Sequence, residues 1–591
     1  MLVNMLRSDT ERDERGSALV SVLVIMLVLS IGGLALAAIV TNTTSMLVQN
    51  RTTVQSRAAA DAGLSEAIAQ GRRAGGVCAI GLTSTSAPRY TVSSSCSGGK
   101  VTITSTGFGE DGGTTVTNAV YSVTSAYQGL DGALVSASGS LNVSSIDVQS
   151  ATNDGDIILN TGNFDCNNSM EVDGDLIVRN GSVSLSNACL IRGDLMASGN
   201  IVINNNAVGV GGKVVTLGSF SLTTGATVTG DVFARGTATV NSGGKVNGGI
   251  TAVGNVTISG SATRVGGSII SGGAIEFNAA TVVGSIVTSS TSDASFYKGT
   301  VGSVRVAGRF SSFQETSVTG SVESTRAGQS NSVTPGTVIG GALRVAGTIS
   351  TWGAGPSAAG GITQNATGLV VPTAPTVPTP YELTTEAFVW TDLPYADTAW
   401  TGAGYTVLPA PGGCDFQNVA ANVAIVNART TPTLYDARSC SDVKMYNVTF
   451  NLKTDIAFVL KSASAQRLKI NSADGQPHQF HLISPDATVN QLPTCASGYG
   501  TIVLSDVAMA PLITGAAYSP CTISIGQSSG GSRWNGQIYA GTVAWGGNST
   551  PRMILDYKEV DLPGFDPAAG GGGGGGVTTT LGALVSQRDV P

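Results

Sequence analysis

The sequence predicts a mainly β protein with a long N-terminal α-helix, on three observations. A motif of the form apolar-x-Gly-[Asp/Gly/Ser/Lys]-apolar recurs with its glycine at Gly174, Gly193, Gly212, Gly230, Gly248, Gly267, Gly284, Gly302 and Gly320, in steps of 17–19 residues. The composition is glycine-rich, 79 of 591 residues, with only 5% aromatic and 12% charged residues; the charge is about half that of an ordinary soluble domain. An uncharged, strongly apolar run extends from Ser17 to Val40. Short strands, tight turns and one membrane-length helix satisfy all three.

The N-terminal run comes first in the chain. Its 24 residues, at the helical rise, cover roughly 36 Å, enough to cross a bilayer. A cleaved secretory peptide has a shorter apolar core, a basic flank and a small-residue cut site after the core. Here the flank mixes Arg7, Arg12 and Arg15 with Asp9, Glu11, Asp13 and Glu14. In "ERGSALVSVLVIML" the junction of Gly16 with Ser17 resembles the processing site of prepilins, whose leader is removed ahead of the apolar stretch. That resemblance implies a leader at 1–16, a new N-terminus at Ser17, and a retained transmembrane and amphipathic helix at 17–73. Most pilins carry glutamate at the fifth mature position; Ser21 stands there, which is closer to minor pilins of the PilX kind.

Downstream, "RAAADAGLSEAIAQGRR" places Ala59, Leu64, Ala67 and Ile68 on one helix face. The run "VTITSTGFGEDGGTTVTNAVYSVTSAY" alternates apolar and polar residues on either side of a Gly-rich turn, the pattern of a β-hairpin. A small pilin-like β region is therefore expected at 74–130, and the resemblance covers roughly residues 7–130.

From 131 to 366 the repeat dominates. Within each period a second signal follows six residues after the motif glycine, at Gly199, Gly218, Gly236, Gly254 and Gly273. A third places Val228, Val246, Val265 and Val282 two residues before the next glycine. Three short strands per period close a triangular coil, and the expected architecture is a parallel β-solenoid of about 18 residues per coil. Small aliphatic side chains suit its narrow core, and glycine with Asn or Ser is expected at corners where φ turns positive. The repeats resemble those of bactofilins, the polymer-forming bacterial β-helices.

The residue after the motif glycine is Asp156, Asp175, Asp194, Lys213 and Asp231 on successive coils, then Gly249, Ser268, Ser285 and Ser303. Such a ladder could share a cation or form a glycosidase pair. No His, Tyr or Arg cluster accompanies it, so the expected role is to accept corner backbone N–H groups. Beyond Gly360, "VVPTAPTVPTPYELTTEAFVW" reads as a Pro-rich linker at 367–400 or a strap lying along the solenoid. A β-rich region at 401–567 is expected to extend the β-helix, and a Gly-rich flexible tail occupies 568–591. His478 and His481, the two histidines, point to opposite faces of an expected strand.

Eight cysteines fall into four neighbouring couples: Cys78 with Cys96, Cys166 with Cys189, Cys414 with Cys440, and Cys495 with Cys521. None forms a CxxC, so disulfides of an exported protein are favoured over zinc, with nearest-neighbour pairing as the working assignment. The net charge of −7 and sparse aromatics exclude a nucleic-acid partner. The function expected is a membrane-anchored, non-enzymatic surface protein of minor-pilin type, acting in pilus assembly or capping or in adhesion, with no catalytic residues, metal or cofactor. Its partners would be the membrane, a prepilin peptidase, pilus subunits, and a surface glycan or cell receptor. A polysaccharide-binding or -processing β-helix and a bactofilin-like polymerising scaffold are the alternatives.

Overall fold

The computed structural model describes residues 14–73, 80–97, 100–109, 112–126, 132–351, 353–384, 388, 390–526, 532–546, 553–560, 562 and 578–590. The chain divides into two compact units: residues 1–128 together with 576–591, and residues 129–575. Strand accounts for 47% and helix for 12% of the protein.

In the first unit, helix α1 (Glu14–Arg73) is continuous. Its described side chains between Val22 and Thr44 are exposed. From Thr52 onward it becomes one-sided: Thr52, Ser56, Ala59, Ala60, Gly63, Leu64 and Ala67 are buried, at the three- and four-residue spacing of a helix face. That face packs on an antiparallel sheet of β1 (Gly81–Ser84), β2 (Arg89–Ser97), β3 (Lys100–Phe108) and β4 (Thr114–Ala126). Small residues let helix and sheet approach closely. A Cβ on Gly107 would fall inside the van der Waals envelope of the Ser56 carbonyl and the Ala60 amide, while Ser105 Oγ donates to Ala60 O at 2.7 Å.

The fifth strand of this sheet is a correction to the expected loose tail. Residues Thr578–Val590 pair antiparallel with β4, from Ala126↔Thr578 to Val116↔Val590. Alternating apolar residues in "TLGALVSQRDV" carry that strand, and the unpaired edge of β4 supplies its ladder.

The second unit is a parallel β-solenoid of about 21 turns with roughly 19 residues per turn. Each coil contributes one short strand to each of three faces, and every strand pairs in parallel register with its counterpart one coil away, as Leu176↔Leu195, Leu195↔Val214 and Val214↔Val232 do on the first face. Inward positions hold Leu, Val, Ile and Ala. The core also takes rings where the sequence predicts only aliphatics: Phe277, Phe296 and Phe310 stack through it at 5.7 and 5.1 Å, and Trp534 is fully buried in the C-terminal part.

The C-terminal region does continue the solenoid, but not from the end of the repeat array. Its coils begin at Thr406–Pro409, proceed through Thr433–Ala437 and Ile456–Leu460, and finish by stacking on the first coil of the array. Ile538 pairs with Leu134 and Ala540 with Ser136; Met553 pairs with Ile146 and Asp556 with Gln149. Coil order along the stack is therefore 406 to 556, then 134 to 363. Chain order and stacking order are permuted.

The Pro-rich segment makes this possible by running back along the first face. Arg235 Nε donates to Val377 O at 3.0 Å, Leu383 packs on Ile177, Met196 and Val215, and Arg179 lies over the Phe388 ring at 5.5 Å. Trp390 then seats against Tyr539 and Tyr518, with centroids 4.5 and 5.5 Å away. At the stack end that begins with Thr406, helix α2 (Ala420–Asn427), Cys414 and Phe416 close the core. Phe416 meets Phe450 and Phe458 edge-on.

Candidate functional site

Four groups of residues singled out by the sequence can be placed. Gly16 and Ser17 lie in the first turn of α1; residues 1–13 of the expected leader fall outside the described residues. The segment Val22–Thr44, 23 residues, is long and apolar enough to cross a membrane, and its described apolar side chains are exposed.

Disulfides join Cys166 to Cys189, Cys414 to Cys440 and Cys495 to Cys521. Each closes a loop of 23 or 26 residues. Cys189 and Cys166 sit on adjacent coils; Cys414 and Cys440 bind the cap to the first coils. Cys78 lies outside the described residues, and Cys96 is a residue of β2.

The aspartate ladder resolves into a backbone cap repeated coil by coil. Asp156 Oδ1 accepts the Asp175 N–H at 2.7 Å, Asp175 Oδ1 the Asp194 N–H at 2.7 Å, and Asp194 Oδ1 the Lys213 N–H at 2.8 Å. Asp231 does the same for Gly249 at 2.7 Å, and where the ladder turns to serine, Ser268 Oγ accepts the Ser285 N–H at 3.1 Å. Burial pushes the Asp175 carboxyl up, against the lowering effect of its bond from the Asp194 amide. The neighbouring corner repeats the device with Asn163, Asn200 and Asn255. One oxygen of each ladder aspartate is thus committed to the fold. Among the described residues no group of three His, Cys, Asp or Glu is placed to hold a metal ion.

The glycines beside the ladder are required for a different reason than expected. Gly193, Gly230 and Gly248 do not have positive φ; a Cβ there would lie 2.5–2.6 Å from the carbonyl oxygen of the motif glycine one coil below. Positive φ occurs instead at the third corner, at Asn187, Asn205, Thr224 and Ser242.

The histidines occupy the strand His478–Ile483 and face opposite ways. His478 Nε2 bonds Asp474 Oδ1 at 2.8 Å. His481 is buried beneath the strap, where its Nδ1 accepts the Ala516 N–H at 3.2 Å, and desolvation pushes it down to about 3. Both are structural.

Two features escape the sequence reading. Where the two halves of the solenoid meet, a cavity of about 650 Å³ is lined by Asp147, Glu171, Asp173, Arg192, Arg533 and Asp556. Its cations are paired, Arg533 with Asp556 at 2.8 Å and Arg192 with Asp173 at 2.8 Å and with Glu171, so it carries ion pairs across coils and leaves no cation free to bind an anion. Under the strap, Asp486 accepts Trp390 Nε1–H at 2.8 Å and the Thr494 N–H at 3.2 Å, and burial raises its carboxyl. The signal for the strap was present: outward first-face positions Ile177, Met196, Val215 and Phe233 are apolar, which an uncovered face would not require.

No family model matches the chain, and no curated protein matches it in sequence. Among solved structures, a possible adhesin C-terminal domain from Caldicellulosiruptor kronotskyensis aligns over 73% of this chain and 93% of its own, with 12% identity and a TM-score of 0.25. At those values nothing about role passes from one to the other. What the chain's own geometry defines is a class: a parallel β-solenoid protein bearing one membrane-length N-terminal helix.

Proposed function

We propose that the protein is a membrane-anchored, non-enzymatic surface protein, with α1 as the retained anchor and the solenoid as a displayed adhesive or assembly surface. The observation that carries this reading is the division of α1. One half exposes apolar side chains over a membrane length, and the other buries a small-residue face on its own sheet. Exposing that much apolar surface to water would cost roughly 25 cal/mol per Å², which lipid or a bundle of like helices removes. Disulfides agree with an oxidising compartment. The finer reading is a minor-pilin-like subunit, processed between Gly16 and Ser17 by a prepilin peptidase and acting in pilus assembly, capping or adhesion. The cap formed by α2 weighs against end-to-end growth of the bactofilin kind, since one end of the stack is closed.

The test is the mature N-terminus, with the partition of the protein between membrane and sheared surface fibres. The native chain is expected to begin at Ser17 and to remain with the membrane or fibres, whereas Gly16→Leu keeps its leader and unfolds at the native temperature. A mature terminus beyond Val40, or a freely secreted protein, overturns the proposal.

A further inference from the structure

The second solenoid face holds a groove of about 250 Å³, lined by Asn255, Thr257, Glu276, Asp293, Ser295 and Tyr297. Parallel register places Thr257 beside Glu276 and Glu276 beside Ser295, one per coil, so their outward side chains form a row with a spacing of about 4.8 Å. An adjoining row runs Ser259, Asn278, Tyr297, Phe313. Tyr297 is 39% exposed, and its ring stacks on Phe313 with centroids 4.8 Å apart and planes 16° from parallel. The buried rings of Phe296 and Phe310 lie in the same strands and contact each other at 5.1 Å, which backs the exposed pair with a rigid core.

The polar groups of the groove fall into two kinds. Asn255 Oδ1 is committed to the Ala274 N–H at 2.9 Å, and Asp293 to Arg309 at 2.7 Å. The Thr257 and Ser295 hydroxyls, the Glu276 carboxylate and the Tyr297 phenol have no partner among the described residues, although each lines the groove. A flat aromatic pair beside a coil-spaced row of free hydroxyls and one free carboxylate is an unusual use of surface in a chain with only 5% aromatic residues.

We propose that this groove is a binding subsite for a neutral, hydroxyl-rich polysaccharide lying along the solenoid axis. The apolar face of a pyranose ring would rest on Tyr297 and Phe313, where polarised C–H groups meet the negative ring face. Vicinal hydroxyls would donate to Glu276 and exchange hydrogen bonds with Thr257, Ser295 and the Tyr297 phenol. A polymer suits a site whose polar groups repeat from coil to coil. An acidic glycan does not, because Glu276 is the uncompensated charge. With Lys298 beside the platform paired to Glu315 at 3.3 Å and Asp293 paired to Arg309, a single free carboxylate is too little charge to select a cationic peptide over a neutral ligand. The inference goes beyond the anchoring reading and does not depend on where the chain is processed.

The experiment is calorimetric titration of the purified full chain, in a detergent without sugar head groups, against cellohexaose, mannohexaose, a galacturonate hexamer and hexalysine. Saturable binding of a neutral hexasaccharide is expected, weakened at least about tenfold by Tyr297→Ala and at least about threefold by Glu276→Ala, with unfolding transitions unchanged. Tyr446→Ala, on a distant coil, should bind as the native chain does. Absence of neutral-glycan binding, equal affinity in Tyr297→Ala, or preference for hexalysine or galacturonate would each refute the site. None of these results bears on the mature N-terminus, so the anchoring proposal stands or falls separately.

Discussion

At the scale of single residues, the solenoid corner is an exchange between a missing Cβ and a supplied oxygen. The motif glycine lets successive coils approach to within 2.6 Å of where its side chain would begin, as at Gly193 over the Gly174 carbonyl, and the next residue caps the backbone N–H of the coil above. The two positions should therefore respond differently to alanine. Asp194→Ala removes one acceptor from a partly exposed amide and should cost about 1 kcal/mol; Gly193→Ala forces two coils apart and should cost about 1–3 kcal/mol. Urea unfolding measures both, and the reverse order would sink the close-approach account. His481 gives a pH signature. Its folded value of about 3 lies below the ordinary 6.5, so the unfolded chain protonates first as pH falls. Stability is complete above about pH 6.5 and is lost at up to about 1.4 kcal/mol per unit on the way down toward pH 3. His481→Gln should flatten the dependence of unfolding free energy on pH between 4.5 and 6.5 by about one proton.

At the scale of elements, the strap and the helix show how much an apolar pattern reveals and where it stops. Of the helix face read in the sequence, Ala59, Leu64 and Ala67 are buried and Ile68 is half-buried, while Ser56, Ala60 and Gly63 join the face only in the structure; the β3–β4 hairpin follows from alternation. The strap is harder to read, because proline supplies extension but no partner. Its place is set by Trp390 against Tyr518 and Tyr539, by Leu383 on Ile177, Met196 and Val215, and by the Val377 carbonyl, which accepts from Arg235; all of these partners lie more than a hundred positions away along the chain. Trp390→Ala should empty a buried site against Tyr518 and Tyr539 and strip Asp486 of its indole donor, destabilising the C-terminal coils by about 3–5 kcal/mol. Faster amide exchange confined to residues 388–405 and the strand Ile513–Gly526 would accompany it; an unchanged exchange pattern would show that the strap is not held there.

At the scale of the whole molecule, the second unit lies between β4 and the last strand of the first unit in chain order. Its own first strand, Leu134–Ser138, and its last, Met553–Asp556, belong to neighbouring coils inside the stack. The permuted stacking order is what brings the first and last strands of this unit to neighbouring coils. The seam is therefore testable. In a chain ending at Thr367, the strands Leu134–Ser138 and Ile146–Gln149 lose their partners in the C-terminal coils, so their amides should exchange by at least about tenfold faster, while residues 195–323 keep their protection. Equal protection at the seam would contradict the permuted order.

The sequence by itself determined the periodic and the local. The coil repeat, the three strands of each turn, the apolar helix and the capping role of Asp156, Asp175, Asp194 and Asp231 all follow from spacing, because each depends on residues within one turn of the helix or one coil of the solenoid. Only the tertiary structure decided which coil ends meet, which face the strap covers, and that Thr578–Val590 completes a sheet begun more than four hundred residues earlier. Parallel strands offer the same hydrogen-bonding edge at either end of a stack, and an open β edge accepts any suitable strand. Short-range pattern is degenerate between these partners, and the choice falls to side-chain contacts that exist only once the chain has folded back on itself.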